Sequence, residues 1–128
     1  MADSRNPNES MTVDDLEPPF ARAMRHNDGK LKLSYILDAP EAIKAFARVM
    51  EQGENKYPRG NWRKGLPPTE VIDSLLRHLV KYRESVLLDQ PRLAMDEESG
   101  LHHLDHVLAN AIFLCEHQHM PVEKEWED

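Results

Sequence analysis

The sequence predicts an all-α protein built on three main helices. Three stretches place apolar residues three and four positions apart, which is the spacing of a helix with one buried side, and each stretch is bounded by proline or glycine. Only the segment KLKLSYIL at 30–37 alternates between polar and apolar residues, which suits an extended entry strand or a packed loop. A single short strand would have no partner with which to form a sheet. Three helices of this length bury little apolar surface alone, so we expect a helical bundle that dimerisation completes.

The first helix is predicted to start at Asp38. Asp38 and Glu41 form a pair like a capping box, Pro40 falls in the first turn, and Gly53 offers a stop. The predicted buried stripe consists of Ile43, Phe46, Ala47 and Met50.

The second helix is predicted from about Thr69 to Leu88, and the third from Ser99, as N-cap, to about Gln118. Asp89, Gln90 and Pro91 end the second helix, and Met120 and Pro121 close the third. The second helix has a predicted inner face of Ile72, Leu75, Leu76, Leu79, Arg83 and Val86. The predicted inner face of the third helix consists of Leu101, Leu104, Leu108, Ala111, Ile112 and Cys115.

Composition divides the chain into one domain with two polar ends. Residues 1–28 contain three prolines and little periodicity and are predicted to be a flexible N-terminal arm, while residues 29–120 form the domain and 121–128 a polar tail. Between the first two helices, GENKYPRGNWRKGLPP holds three glycines and three prolines and is predicted to be a long structured loop.

Charge and composition exclude several classes of protein. The net charge is −7 and no Lys/Arg run exceeds two residues, which argues against binding to duplex nucleic acid. A small phosphorylated ligand stays open, because a divalent cation can offset local negative charge. No apolar run approaches the roughly 20 residues of a membrane span, the first ten residues lack the apolar core of a signal peptide, and the single cysteine suits a reducing cytoplasm.

The most informative motif is DEESGLHHLDHVLAN at residues 96–110. A helix would gather His103, His106 and Asn110 on one side, with Asp96 and Glu98 arriving from the preceding turn. Imidazole with carboxylate suits Mn²⁺, Fe, Zn²⁺ or Co²⁺, whereas Mg²⁺ prefers oxygen ligands alone. The alternative is a solvated polar side, or histidines that satisfy one another at a dimer interface.

Two further groups each have a structural alternative. His78 lies between leucines in the second helix and is typical of a packed core residue, unless a facing helix sets it opposite His103 or His106. The loop 54–65 combines aromatic and basic residues, which suits base stacking and phosphate binding, or else is a loop pinned by a buried Trp62 with solvated charges around it.

The chain also contains an ExxE…ExxD pattern. Glu51, Glu54, Glu70 and Asp73 match the pattern by which all-α NTP pyrophosphatases hold Mg²⁺. Gly53 interrupts the first pair, however, and acidic residues are common in a first helical turn because they complement the helix dipole, so coincidence is the other interpretation.

Taken together, these motifs resemble the phage family named dATP/dGTP diphosphohydrolase, N-terminal domain, which is related to the MazG-like all-α pyrophosphohydrolases. The resemblance spans roughly residues 30–116. It rests on Gly53, Lys56, Tyr57, Asn61, Trp62, Gly65, Arg77, His78, Asp96, Glu98, Ser99, Gly100, His103, Leu104, His106 and Asn110. The chain departs from the pattern at His102, where the family often has proline, and in a longer segment over 86–95.

The resemblance implies hydrolysis of a purine deoxynucleoside triphosphate, dATP or dGTP, to the monophosphate and pyrophosphate in the host cytoplasm. It implies a divalent ion, Mn or Mg with Zn, Fe or Co as options, held by Asp96, Glu98, His103 and His106. His78 and Glu98 would be the catalytic residues, with His78 as ligand or general base. Substrate binding would fall to Lys56, Tyr57, Asn61, Trp62, Arg77 and Asn110.

Two other functions remain open at this point. The same pocket could bind a nucleotide without cleaving it, as a non-catalytic nucleotide-binding or protein-interaction module of phage type. The chain could also be a structural dimer whose histidines line the interface.

Overall fold

The structure, a computed structural model, describes residues 23–120, which fall in two compact units divided between Lys32 and Leu33. The described part of the first unit is a short stretch with one turn, in which the Lys30 N–H donates to the Asn27 carbonyl at 3.1 Å. All the helices described below belong to the second unit. Most of the predicted arm at 1–28 and all of the predicted tail at 121–128 lie outside the described residues.

The predicted all-α class is confirmed by three main helices. These are α1 (Pro40–Gly53), α2 (Pro68–Leu87) and α3 (His103–His119). Short 3₁₀-helices cover Leu33–Asp38, Asn61–Lys64 and Pro91–Ala94. Within 23–120 there is no strand, only an isolated antiparallel bridge between Met95 and His102. The alternating segment at 30–37 is therefore neither a strand nor a packed loop, since most of it forms an exposed 3₁₀-helix.

The starts of α1 and α3 differ from the prediction. Asp38 ends the preceding 3₁₀-helix, so Ala39 is the N-cap of α1 and no side chain caps it. Pro40 still begins the helix, as its fixed φ and missing N–H favour. Ser99 lies in a turn before α3, and the N-cap is His102, whose Nδ1 accepts the Leu104 N–H at 3.0 Å.

The end of α2 falls where the sequence predicts. Asp89 adopts a left-handed φ of 51°, its N–H donates to the Val86 carbonyl, and the Gln90 N–H donates to the Ser85 carbonyl at 3.0 Å. This is the Schellman arrangement, which satisfies carbonyls left over at a helix end. An aspartate tolerates the left-handed conformation better than most residues with a side chain.

Helix α3 is central, since α2 packs against one side and α1 against another. On the α1 side, Ala45 and Val49 are buried. There the rings of Phe46, Trp62 and Phe113 form an aromatic cluster, with centroids 6.5 Å apart for Phe46–Phe113 and 4.8 Å apart for Trp62–Phe113. The three rings join α1, the 3₁₀-helix at Asn61–Lys64 and α3.

The predicted inner faces are partly wrong. In α1, Ile43 and Ala47 are exposed and the buried row is centred on Ala45 and Val49. In α3, Leu104, Ala111 and Cys115 are exposed while His103 and Ala109 are buried. The sequence pattern identifies the apolar side of a helix, but in this chain α3 turns a largely polar side toward α2.

The error is greatest in α2. Its side toward α3 carries Val71, Ser74, Leu75, His78, Tyr82 and Ser85, all buried or half-buried. Five of the six residues of the predicted inner face, Ile72, Leu76, Leu79, Arg83 and Val86, are exposed. Two hydrogen bonds join α2 to α3, His78 with His103 and Asn110 with Ser74, and most of the apolar face of α2 is left exposed. None of the helices in the described range is both long and apolar enough to cross a bilayer.

Candidate metal and nucleotide site

Three histidines and an aspartate meet where α2 packs on the start of α3. We call His78, Asp96, His103 and His106 the histidine cluster. The Nδ1 atoms of His78 and His103 lie 2.8 Å apart, so one nitrogen donates and the other accepts. The His106 ring stacks on His78 with centroids 4.4 Å apart and planes 12° apart. Helical spacing of three residues brings His103 and His106 to one side of α3.

The turn before α3 positions Asp96. Its backbone N–H donates to the Leu101 carbonyl at 2.7 Å, and its carbonyl accepts the Gly100 N–H at 2.8 Å. Gly100 has a φ of 74°, which a residue with a side chain rarely adopts. With the bridge from Met95 to His102, these bonds close the segment into a tight loop that directs the Asp96 side chain toward the helices.

Ser99 connects the aspartate to a histidine. Its hydroxyl donates to Asp96 Oδ2 at 2.7 Å and lies 2.7 Å from His106 Nε2, while its backbone N–H also donates to Asp96 Oδ2 at 3.2 Å. Asp96 Oδ2 and His106 Nε2 lie 3.5 Å apart. Ser99 was expected to cap the helix, and instead it holds two members of the cluster together.

Burial sets the charge state of the cluster. Desolvation is the main cause that lowers the pKa of both His78 and His103, and the neighbouring His106 lowers both further. Burial raises the pKa of Asp96, but hydrogen bonds from Ser99 and the nearby His106 outweigh it, so the net pKa is below the ordinary value. At neutral pH the Asp96 carboxylate is thus ionised and the His78 and His103 imidazoles are neutral, the protonation states in which these groups ligate metals.

The donor atoms of the cluster fit a metal ion. One ligand atom from each of His78, Asp96 and His103 lies within 4.8 Å of the other two. An ion held by imidazole nitrogens at about 2.0–2.1 Å needs donors roughly 3–4 Å apart, so small side-chain rotations would suffice. Two imidazoles with one carboxylate suit Mn²⁺, Fe²⁺, Co²⁺ or Zn²⁺ better than Mg²⁺.

An open cavity of about 780 Å³ lies beside the cluster. Its volume falls in the range of about 300–1,000 Å³ that small-molecule sites occupy. The charged lining comprises the acids Asp73, Glu84, Asp96 and Glu98 and the bases Arg77 and Lys81. Four carboxylates against two cations make the lining negative, so a phosphorylated ligand would need a bound cation between its phosphates and the wall.

The structure places several predicted site residues at this cavity. Arg77 and Glu98 line it, and the Glu98 carboxylate accepts a hydrogen bond from Lys56 Nζ at 2.7 Å, which raises the pKa of Lys56. Glu98 is exposed and lies outside the three-residue donor group. Asn110 and Tyr57 do not line the cavity: one turn beyond His106, the Asn110 amide donates to the Ser74 hydroxyl at 3.2 Å, and Tyr57 is exposed.

The structure does not bring the other predicted residues to the cavity. Trp62 packs on Phe113 and His117, and the His117 Nε2 lies 3.0 Å from the Trp62 carbonyl. Those residues lie ten or more positions along α3 from His103, which corresponds to roughly 15 Å or more. Asn61 and Trp62 begin the short 3₁₀-helix at that end of the fold. Within the described chain the visible role of Trp62 is packing.

Of the four ExxE…ExxD residues, only one lies at the cavity. Asp73 lines the cavity, whereas Glu51, Glu54 and Glu70 are exposed and do not line it. The pattern therefore contributes one carboxylate to the cavity.

Sequence reasoning missed Ser74, Lys81, Glu84 and Ser99 as site residues. Lys81 and Glu84 resemble ordinary surface charges, and they form an ion pair at 3.7 Å. A signal was present in the helical spacing, since Arg77, Lys81 and Glu84 are four and three residues apart and so share one side of α2.

Residues 21–127 match the family described as dATP/dGTP diphosphohydrolase, N-terminal. The chain belongs to this family. One relative, the dATP/dGTP diphosphohydrolase of Salmonella phage PMBT28, is 33% identical over 91 residues. The aligned segment is 71% of this chain but only 28% of the relative, so the family domain present here spans less than a third of that phage protein. No solved structure matches the chain.

Proposed function

We propose that this chain binds a purine deoxynucleoside triphosphate, dATP or dGTP, in the cavity beside the histidine cluster and hydrolyses it to the monophosphate and pyrophosphate. The observation that carries the proposal is the convergence of His78, Asp96 and His103 at the wall of a nucleotide-sized cavity. The activity named for the phage relative supports the choice of substrate.

A divalent ion is part of the proposal. His78, Asp96 and His103 would hold it, with His106 completing or orienting the set through Asp96 and Ser99. When bound, the ion would offset phosphate charge and lower the pKa of an attacking water. The excess of carboxylates in the cavity lining supports a bound cation, because without one the negative lining would repel a triphosphate.

The remaining roles fall to side chains at the cavity wall. Arg77 and Lys81 would contact phosphate oxygens, because both line the cavity and carry positive charge. Glu98 would accept a proton from water as general base, since its exposed carboxylate lies at the edge of the cavity, 2.7 Å from Lys56 Nζ. His78 would act as ligand in preference to base, because its Nδ1 already faces His103.

A second function has one observation in its favour. The aligned segment covers 28% of the phage relative, so residues outside it could perform the chemistry while this domain binds the nucleotide without cleaving it. Such a binding module would use the same cavity.

Product analysis separates these two functions. The purified chain would be incubated with dATP, dGTP, dCTP, dTTP and ATP in the presence of Mn²⁺, Mg²⁺, Co²⁺ or Zn²⁺, and pyrophosphate release and monophosphate formation would be measured. We expect equal amounts of pyrophosphate and monophosphate from dATP or dGTP. Saturable binding with no product would favour the binding module, and no binding of any nucleotide would exclude both.

A double substitution tests the cluster. His103→Ala with His106→Ala should reduce turnover below detection while the helical circular dichroism signal is retained. The matched control replaces two exposed histidines, His26→Ala with His119→Ala, and should keep wild-type activity. Full activity in the first variant would remove the cluster from the site.

A further inference from the structure

Ser99 joins the turn before α3 to the histidine cluster through three contacts of one hydroxyl. The hydroxyl oxygen accepts the Leu101 N–H at 3.2 Å, so the backbone of the turn holds that oxygen in place. The same group donates to Asp96 Oδ2 at 2.7 Å and lies 2.7 Å from His106 Nε2. Because Ser99 is half-buried, water competes less for these bonds than it would at the surface.

The contacts to Asp96 all fall on one oxygen of its carboxylate. The Ser99 hydroxyl and backbone N–H donate to Oδ2 at 2.7 and 3.2 Å, and His106 Nε2 lies 3.5 Å from the same atom. A carboxylate has about four lone-pair sites on its two oxygens. Oδ2 therefore has little capacity left for another partner, whereas none of these three contacts uses Oδ1.

We propose that Ser99 is a positioning residue that makes Asp96 bind the metal ion through Oδ1 alone. The proposal rests on the divalent ion of the proposed function, but not on hydrolysis. His78 and His103 each offer one nitrogen beside the Asp96 carboxylate. The ion would then have three protein ligand atoms, and its other positions would be open to water or to a phosphate oxygen.

Binding through one oxygen affects which metal the site prefers. Ca²⁺ takes roughly six to eight oxygen ligands and accepts a carboxylate through both of its oxygens. Zn²⁺ is stable with about four ligands, and its catalytic sites have three from the protein and one from water. By holding Asp96 to one oxygen, Ser99 favours ions that need few ligands and keeps a position free for water.

A purely structural role for Ser99 predicts a different result. The turn is also closed by the Asp96 N–H, which donates to the Leu101 carbonyl at 2.7 Å, and by the Gly100 N–H, which donates to the Asp96 carbonyl at 2.8 Å. Neither bond involves the serine side chain. Loss of the hydroxyl should therefore leave the turn in place, and its main effect should fall on the Asp96 carboxylate.

Co²⁺ binding to the full chain, freed of metal by a chelator, tests the proposal. Visible absorption reports the number of ligands as well as the affinity, because Co²⁺ absorbs more strongly with four ligands than with five or six. Ser99→Ala should weaken Co²⁺ binding by about 10–100-fold, the usual loss when a partner that orients a metal ligand is removed. It should also lower the absorption per bound ion and reduce the preference for Co²⁺ over Ca²⁺.

Two further variants separate the hydroxyl from the fold. Ser99→Thr keeps a hydroxyl and should restore the affinity and the spectrum to near wild type. Ser85→Ala is the matched control, because the buried Ser85 donates its hydroxyl to the Tyr82 carbonyl at 2.6 Å and not to the cluster. It should bind Co²⁺ as the wild-type chain does. Far-ultraviolet circular dichroism checks that each variant folds.

Wild-type affinity and absorption in Ser99→Ala would overturn the proposal, as would a wild-type chain that binds no Co²⁺. Weaker binding with an unchanged spectrum would overturn binding through one oxygen. Pyrophosphate release is measured separately with dATP and dGTP. A chain that shows the expected Co²⁺ behaviour but releases no pyrophosphate would contradict the proposed function and support the role of Ser99.

Discussion

The two sides of α3 make different kinds of contact, apolar toward α1 and polar toward α2. Toward α1, the aromatic cluster of Phe46, Trp62 and Phe113 provides apolar contact. Toward α2, the contact runs through imidazoles, a hydroxyl and an amide, including His78 against His103 and Asn110 against Ser74. The first kind of interface gains free energy from removing apolar surface from water, and the second gains little once desolvation is counted. We infer that the α1 side stabilises the fold and that the α2 side exists for its chemistry.

The largest expected effect lies in the aromatic cluster. Phe113→Ala should reduce the free energy of unfolding by about 3 kcal/mol, because it removes the ring that touches both Phe46 and Trp62. Urea unfolding followed by circular dichroism measures this loss. Mn²⁺ affinity of the folded fraction should be unchanged, and a parallel loss of metal binding would show that the two sides are not separable.

A smaller effect is expected in the histidine cluster. His78→Leu should reduce the free energy of unfolding by about 1–3 kcal/mol, because it leaves the facing nitrogen of His103 buried without a partner. His78→Leu with His103→Leu should return stability to within about 1 kcal/mol of wild type, since both polar partners are then replaced by apolar groups. A double variant less stable than either single variant would argue that the polar contact itself stabilises the fold.

The pH dependence of stability should report the same cluster. The folded-state pKa values of His78 and His103 lie below the ordinary 6.5, so below about pH 6.5 the unfolded chain binds more protons than the folded one. Stability should therefore fall as pH decreases from 6.5 toward those lowered values, and it should fall again when Asp96 is protonated. Urea midpoints in the presence of a chelator measure this, and the His78→Leu, His103→Leu variant should lose most of the first decrease.

The smallest effect is expected from the ion pair between α1 and α3. Arg48 and Asp105 lie 3.8 Å apart, and the Arg48 side chain is 48% exposed. Arg48→Ala should change the free energy of unfolding by less than about 1 kcal/mol, because exposed pairs are screened by solvent. Lys44→Ala, which breaks the exposed pair with Glu41, is the matched control. A cost near that of Phe113→Ala would mean that charge, not apolar contact, holds α1 in place.

The sequence was sufficient to find the helices but not their orientation. Proline, glycine and the spacing of apolar residues located α1, α2 and α3 to within a few residues. The caps were missed because Asp38 ends the preceding 3₁₀-helix and because Ser99 bonds to Asp96 and His106 instead. The contact with His106 depends on the fold, which a local pattern cannot show. The inner face of α2 was missed because its apolar row is exposed, and a pattern of apolar residues does not say whether that row faces the core or the solvent.

The candidate site was predictable where residue chemistry is unusual. Three histidines and an aspartate within two segments drew attention to His78, Asp96, His103 and His106, and the fold brings them together. Trp62 was expected near the ligand because aromatic rings suit both base stacking and packing, and only the contact with Phe113 distinguishes the two. Lys81 could not be singled out, because a surface lysine on a helix is unremarkable until a cavity is found beside it.

The hydroxyl of Ser99 has a consequence for proton placement. Asp96 is ionised and can only accept, so the single hydroxyl proton of Ser99 points to Asp96 Oδ2. The oxygen of Ser99 must then accept a hydrogen bond from His106 Nε2, so Nε2 carries a hydrogen, and in the neutral form of the ring the lone pair lies on Nδ1. Ser99 thereby determines which nitrogen of the neutral His106 ring carries the lone pair.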